Sequence, residues 1–354
     1  MVPFSKGRST ILASALTALL FLVLAACTSP QSTFEPRSNE AESVLTIYIV
    51  VIAAASFVGA VVTITMIIAL IRFRARPGHK ARQIHGNSKL EIAWTIAPIF
   101  VLMTIAFPTI FWIVGTTREP APDAIEIKAT GHQWWFEFEY PGLGPNGTSL
   151  YTANELRVPV GREIAITLES DDVIHSFWVP QLVGKTDMIP TRTNKLQLFT
   201  PNEIGEFWGQ CAEFCGSAHA LMRFRVHVDS LGDFGRWVRS MNSAPAEPSP
   251  GSAEARGQRV FQLTGACGRC HSITGTASQG RIGPDLTLFG DRSTVGSGIL
   301  DNTDENLRAW IRDVRSMKPI TDDGGVAFMP TFKDTLSDAQ VADVAAYLKS
   351  LILQ

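Results

Sequence analysis

The chain has 354 residues, and at about 100–200 residues per domain two or more domains are expected. Its formal net charge of −2, from 31 basic and 33 acidic residues, excludes nucleic-acid binding by a general basic excess. Apolar residues make up 45% and charged ones only 18%; against the usual ~25% charged, that deficit points to segments in lipid.

In chain order, Lys6 and Arg8 precede an apolar stretch from Ile11 to Ala26, the basic and short apolar regions of a secretory signal. It ends in Leu24-Ala25-Ala26-Cys27, which resembles the bacterial lipoprotein box. Residues 1–26 are therefore expected to be a lipoprotein-type signal peptide, with Cys27 as a lipid anchor. Between Glu42 and Arg72 lie 29 residues without a charge, and between Glu91 and Arg118 lie 26. Each exceeds the ~20 residues needed to cross the hydrocarbon core, so a transmembrane hairpin is expected over 43–118. Its connection carries Arg72, Arg74, Arg76, Lys80, Arg82 and Lys89 with no acidic residue, which places it in the cytoplasm and everything after Arg118 outside. Pro98 and Pro108 within the second span call for compensation from a neighbouring helix or side chain, and so suggest a partner subunit.

Residues 119–240 are expected to form one domain, which from Asp123 to about Val228 reads as short β segments broken by Gly, Pro and Asn: Ile125–Thr130, Gln133–Tyr140, Glu163–Glu169, Val173–Val179, Lys195–Phe199 and Met222–Val228. Alternation is clearest in Glu163–Leu168, and an all-β Greek-key sandwich follows, with Pro141–Asn154 as a surface loop.

The five cysteines, Cys27, Cys211, Cys215, Cys267 and Cys270, are odd in number and clustered, unlike a dispersed disulfide framework. Cys211, Cys215, His219 and Met222 fall within twelve residues, a soft and borderline donor set that suits copper better than magnesium or calcium. His175, upstream on a strand, would supply a second imidazole. Two bridging thiolates could then hold two coppers, each capped by one His, with Met222 and a backbone carbonyl as weak axial ligands. A Cys211–Cys215 disulfide and a Cys2His2 zinc site are the alternatives, although neither accounts for Met222 or for the glutamate between the cysteines.

This segment resembles the dinuclear copper (CuA) motif of cytochrome c oxidase subunit II. Gly131-His132-Gln133-Trp134-Trp135 resembles that family's aromatic segment, Asp171–Phe177 its first-histidine strand and Gly184–Pro190 a following loop. Glu91–Pro98 resembles its second transmembrane helix, so the likeness runs from about 42 to 230 in the family's order. The resemblance implies copper binding by His175, Cys211, Cys215, His219 and Met222, and by the main-chain carbonyl of Glu213. It further implies a Mg2+ shared with subunit I through the Glu213 carboxylate. Trp134 matches the tryptophan that receives electrons from cytochrome c, with Trp135 able to carry part of that role. Glu91 matches the glutamate at the mouth of a proton path into subunit I; helix capping beside a basic loop is its plainer role. His227 and His132 are expected to be structural, and His79 and His85 solvated.

Residues 241–252 include Ser243-Ala244-Pro245-Ala246-Glu247-Pro248-Ser249-Pro250-Gly251-Ser252, a composition that reads as a semi-extended linker. Beyond it Cys267-Gly268-Arg269-Cys270-His271 has the C-x-x-C-H pattern that attaches c-type haem and supplies a proximal His. Helical residues around Glu254–Leu263, the stretch Gly283-Pro284-Asp285-Leu286, and a final helix opened by a Ser337/Gln340 capping box surround it. Residues 253–354 thus resemble a class I cytochrome c, in which Pro284 would help orient His271 and Gly257 and Tyr347 would mark a helix crossing. Met317 and Met329 are the methionines after His271; Met329, in a Met-Pro loop before the final helix, is the expected sixth haem ligand.

The expected fold class is a membrane-anchored multidomain chain: a two-helix transmembrane hairpin, an all-β cupredoxin-like sandwich and an all-α cytochrome c domain. The resemblance implies subunit II of a respiratory oxidase of the cytochrome c-fused (caa) class, in the bacterial plasma membrane with both soluble domains on the outer side. Its cofactors would be CuA, haem c and Mg2+; its partners subunit I, other oxidase subunits, membrane lipid and cytochrome c or another donor, with no nucleic acid. A free-standing anchored electron carrier or copper-delivery protein is the competing class, and it leaves Glu91 and the mid-span prolines unexplained. A quinol oxidase subunit is disfavoured by the copper cysteines.

Overall fold

The computed structural model describes residues 29–354 apart from 76, 79–82, 84, 117 and 319–328. The expected signal segment, Cys27 and His79 lie outside the described residues.

Two long helices come first, α1 (Asn39–Arg72) and α2 (Ser88–Thr116). Both are apolar on every side, with Phe57, Ile71, Phe100 and Phe111 among many exposed side chains; a helix apolar all round belongs in lipid or a large core. The start of α1 is tied to the soluble part. Ser38 caps it and donates to the Leu182 carbonyl, Arg37 N donates to Gln181 O (2.7 Å), and Asn39 Oδ1 accepts from Thr200 N (2.7 Å). At the start of α2, Asn87 Oδ1 accepts from Lys89 N and Leu90 N, while Glu91 Oε1 accepts from Asn87 N (3.3 Å).

Ten strands follow: β1 (Ile125–His132), β2 (Trp135–Tyr140), β3 (Leu150–Ala153), β4 (Glu155–Pro159), β5 (Ile164–Ser170), β6 (His175–Val179), β7 (Val183–Met188), β8 (Asn194–Phe199), β9 (Gly205–Cys211) and β10 (Arg223–Asp229). They form two five-stranded sheets, ordered β3-β2-β1-β5-β8 and β4-β10-β9-β6-β7. Alternate residues of β2 face inward, so Phe136, Phe138 and Tyr140 are fully buried. Phe136 and Phe177 pack on Phe224 with ring centroids 4.7 and 4.9 Å apart, and each such ring contributes about 1.5–3 kcal/mol by burial. The expected surface loop over Pro141–Asn154 is corrected: its second half is β3, paired with β2 through Glu139↔Tyr151 and Phe138↔Thr152. Apart from Asn154 at its end (φ 58°), the Gly, Pro and Asn residues gather in its first half, Pro141–Gly147, and Leu150–Ala153 is free to extend the sheet.

Helix α3 (Leu231–Met241) covers the end of the sandwich, with Trp237 against Tyr140 at 5.3 Å. Residues 242–252 hold neither helix nor strand. Beyond them lie α4 (Ala253–Arg259), continued by a π turn over Val260–Thr264, then β11 (Thr294–Val295), β12 (Leu300–Asp301), α5 (Asp304–Arg312), α6 (Val314–Met317) and α7 (Asp338–Lys349). The short β11–β12 ladder is an addition to the expected all-helical unit. Helix α4 crosses α7 at Gly257, where a Cβ would come within 2.9 Å of Tyr347 Cβ, and Arg256 pairs with Asp343 beside it (2.7 Å). Ser337 and Gln340 make the expected capping box. Phe261, Ile311, Val344, Tyr347 and Leu348 form a second core, separate from that of the sandwich.

The two units are sewn together by polar contacts. Glu155 Oε1 accepts from Thr294 N (3.1 Å) and Ser293 Oγ (3.3 Å). Arg225, stacked on Trp208 at 3.6 Å, donates to Gly298 O (3.1 Å). Arg281 lies over the Tyr151 ring (3.5 Å) and faces Glu137 (3.5 Å).

Candidate metal centre and haem pocket

Cys211 ends β9 and Met222 immediately precedes β10. The main chain closes between them through Cys211 N to Met222 O (2.9 Å). That closure folds the intervening loop back on itself and gathers its donors. Cys211 Sγ and Cys215 Sγ are 3.7 Å apart as two separate thiols, and Cys211 Sγ lies 3.2 Å from the Glu213 carbonyl. His219 Nδ1 is 3.5 Å and Met222 Sδ 3.9 Å from Cys215 Sγ. His175 begins β6, which pairs with β9 through Phe177↔Cys211, and so its Nδ1 reaches within 3.9 Å of Cys211 Sγ.

The donor set is elongated, with His175 and the Glu213 carbonyl beside Cys211, and His219 and Met222 beside Cys215. Among the described residues, His175, Cys211 and Cys215 have ligand atoms all within 4.8 Å of one another, a group that does not include His219. A single tetrahedral zinc needs four donors converging on one point. Two sulfurs with one imidazole at each end instead fit a pair of soft ions.

Local contacts hold the ligands in place. Asp172 Oδ1 lies 2.7 Å from His175 Nε2, which leaves Nδ1 for the sulfur side. Gly131 makes room for the ring, since a Cβ there would come within 2.7 Å of His175 Cδ2. Burial opposes a charge on His175, but Asp172 and Cys211 outweigh it and its pKa ends raised. Burial would also raise Asp172, yet His175 and the amides of Val173 and Gln133 hold it below the ordinary carboxylate range. Cys211 is the thiol that ionises first: the Cys215 thiol bonded to it, with help from His175, brings it to about 3 against its burial. The negative Cys211 beside it, together with burial, pushes Cys215 up.

Trp134 is 3% exposed, and its Nε1 donates to the Cys215 carbonyl (3.0 Å), which also accepts from Gln133 Nε2 (2.8 Å). Trp135 instead stacks on His132, with centroids 4.2 Å apart, and Phe136 is core. His227 bonds Glu155 at 3.2 Å, a structural role. In the Cys211–Met222 loop Phe214 is 75% exposed, and Val173 and Ile174, just before His175, are exposed as well. There the Glu213 carboxylate meets Lys185 at 3.5 Å near the surface.

The haem-type motif lines a cavity of about 370 Å³ whose walls include Cys267, Cys270, His271 and Met329. His271 Nδ1 lies 2.7 Å from the Pro284 carbonyl, which turns Nε2 toward the cavity as a proximal ligand requires. Burial keeps the His271 pKa low, so the ring is a neutral donor. Gly283 lets the ring in, because a Cβ there would lie 2.7 Å from His271 Cε1. Met317 ends α6 and is not among the cavity's lining residues. Trp134, Trp135 and Glu155 of the sandwich close the same cavity. Glu91 stands apart from both sites at the start of α2, engaged in its own cap.

Sequence reasoning gave no role to Asp172, Glu155, Ser297 or Lys318. An acid three residues before a metal-binding His is a signal that could have found Asp172. The other three are placed by the contact between the two units, which leaves no local pattern.

Fold and donor set define a membrane-anchored β-sandwich metalloprotein joined to a c-type cytochrome domain. Family models match in the same order: the cytochrome c oxidase subunit II transmembrane domain over 30–111, its periplasmic domain over 142–229, and cytochrome c over 254–351. Cytochrome c oxidase subunit 2 of Alkalihalophilus pseudofirmus is 37% identical, covering 94% of each chain, and that of Bacillus subtilis is 32% identical over 95% of this chain and 96% of its own. The chain belongs to the cytochrome c oxidase subunit 2 family, an oxidoreductase family. The crystal structure of the periplasmic domain of subunit II of cytochrome oxidase from Bradyrhizobium japonicum is 32% identical over 35% of this chain and 96% of its own, with a TM-score of 0.32. The family implies CuA and the cytochrome domain implies haem c, and the donor geometry above fits both.

Proposed function

We propose that this chain is the electron-accepting subunit of a respiratory oxidase of the caa class. It takes electrons from cytochrome c or another donor at its cytochrome domain. It passes them by way of its copper domain to haem a of subunit I, for reduction of oxygen to water coupled to proton pumping. One observation carries the reading: Trp134 walls the haem cavity and also bonds the Cys215 main chain.

His175, Cys211, Cys215, His219 and Met222, with the Glu213 carbonyl, would hold the dinuclear copper. Cys267, Cys270, His271 and Met329 would hold the haem. When bound, these groups supply one-electron chemistry with little rearrangement. The chain itself orients each imidazole, through Asp172 and the Pro284 carbonyl, and shuts water out around Trp134. Exposed Phe214, in the same loop as Glu213, would meet subunit I, where the Glu213 carboxylate would share a Mg2+. Glu91 would stand at the mouth of a proton path while also capping α2. The soluble units would lie on the outer side of the bacterial plasma membrane, with a lipid anchor at Cys27.

Replacing both Cys267 and Cys270 by serine in the assembled oxidase tests this reading. Turnover with reduced cytochrome c should fall to background while the copper EPR signal stays, because the two cores are separate. Turnover at the unaltered rate would show that electrons arrive elsewhere.

Met329→Leu should abolish the weak long-wavelength band of a Met–Fe(III) bond and lower the haem potential, while Met317→Leu should leave both unchanged. The opposite pattern would reverse the ligand assignment.

A further inference from the structure

Lys318 follows α6 on the cytochrome side and is only 3% exposed. Its ammonium donates to the Trp134 carbonyl at 2.7 Å and to Ser297 Oγ at 3.1 Å, and Ser297 Oγ donates to the same carbonyl at 2.8 Å. Ser297 is set by an unusual backbone: Gly296, Ser297 and Gly298 all have positive φ (72°, 66° and 74°), which a side-chain-bearing residue such as serine rarely adopts. The same segment is stitched to the far side of the copper loop. Arg223 N donates to Ser297 O (3.0 Å) and Arg225 Nη2 to Gly298 O (3.1 Å). Trp134 is thus held at its carbonyl by the cytochrome unit and at its indole by Cys215.

We propose that Lys318, acting with Ser297 on the Trp134 carbonyl, is the positioning residue that fixes this tryptophan between the haem pocket and the copper loop. A buried ammonium is unfavourable unless well bonded. Burial lowers the Lys318 pKa to about 7, against the pull of Cys215 toward the charged form. An aliphatic side chain would fill the space without that penalty, so what the lysine contributes is directional: two bonds converging on one carbonyl cluster. The inference rests on the electron path proposed above.

The test uses the assembled oxidase carrying Lys318→Met, Lys318→Arg or Ser297→Ala. The haem is photoreduced and electron arrival at copper is followed, alongside amide hydrogen exchange. Lys318→Met should slow this transfer about tenfold, as misplacement of a coupling group does. Haem c and copper spectra, and onward transfer from copper, should be unchanged, whereas a general structural defect would alter them. The amide of Arg223, which donates to Ser297 O, should exchange faster, while those of α7 keep their protection. Lys318→Arg should restore most of the rate, and Ser297→Ala, which removes one oxygen atom, should show a smaller slowing if Lys318→Met fails to fold. Unaltered transfer and exchange in Lys318→Met and Ser297→Ala would overturn the assignment. If the unsubstituted protein shows no transfer between its units, the proposed path fails, and the exchange data still decide whether the clamp exists.

Discussion

Cys215→Ser is expected to abolish copper binding and oxidase turnover while leaving the haem c spectrum intact. Cys215 is the hub of the donor set, within 4 Å of Cys211, His219 and Met222, and its carbonyl receives both Gln133 and Trp134. A serine hydroxyl is a hard, weakly acidic donor that copper takes poorly in place of a thiolate. The main-chain bonds at 215 do not depend on the sulfur, so the loop should keep its fold and the defect should be chemical. Metal analysis and EPR check the loss; optical spectra check the haem. Copper content at the unsubstituted level would remove Cys215 from the centre.

The second large effect concerns Trp134. Trp134→Leu loses the Nε1 bond to the Cys215 carbonyl and most of a buried ring, at about 3 kcal/mol or more of stability. Trp134→Phe keeps a ring and loses about 1 kcal/mol with the bond, because Gln133 still serves the carbonyl. Transfer between haem and copper should slow about a hundredfold in the leucine variant and about tenfold in the phenylalanine variant. Denaturant melting and photoreduction kinetics separate the two effects. Trp135→Phe should change little, since Trp135 stacks on His132 instead of touching the copper loop.

The cluster of sulfur and imidazole donors was legible because most of its members fall in a single loop, where local spacing and donor type carry the chemistry. Local patterns also marked Cys267, Cys270, His271 and Met329, which line one cavity, and the crossing at Gly257, which a bulkier residue would block. Strand β3 was hidden by the turn residues that precede it. Strands β4, β7 and β9 escaped as well: Gly184, Lys185, Thr186 and Asp187 in β7, and Gly205 and Gly209 in β9, break the apolar alternation that marks a half-buried strand. Most opaque was the join between the units. Glu155, Arg225, Ser297 and Lys318 look like ordinary surface residues in sequence, and they lie buried where two separately patterned surfaces meet. No periodicity within one element encodes that meeting, yet it places Trp134 between the two sites.

The central claim is that electrons cross from the cytochrome unit to the copper unit within a single chain. Photoreduction of haem c in the assembled oxidase, with haem and copper followed at their own absorption bands over a range of protein and salt concentrations, tests it most directly. The account predicts haem reoxidation matched by copper reduction, first-order, and independent of both protein and salt concentration, since the interface is internal and buried. Copper reduction whose rate rises with protein concentration or falls with added salt, or haem that stays reduced while copper stays oxidised, would contradict it.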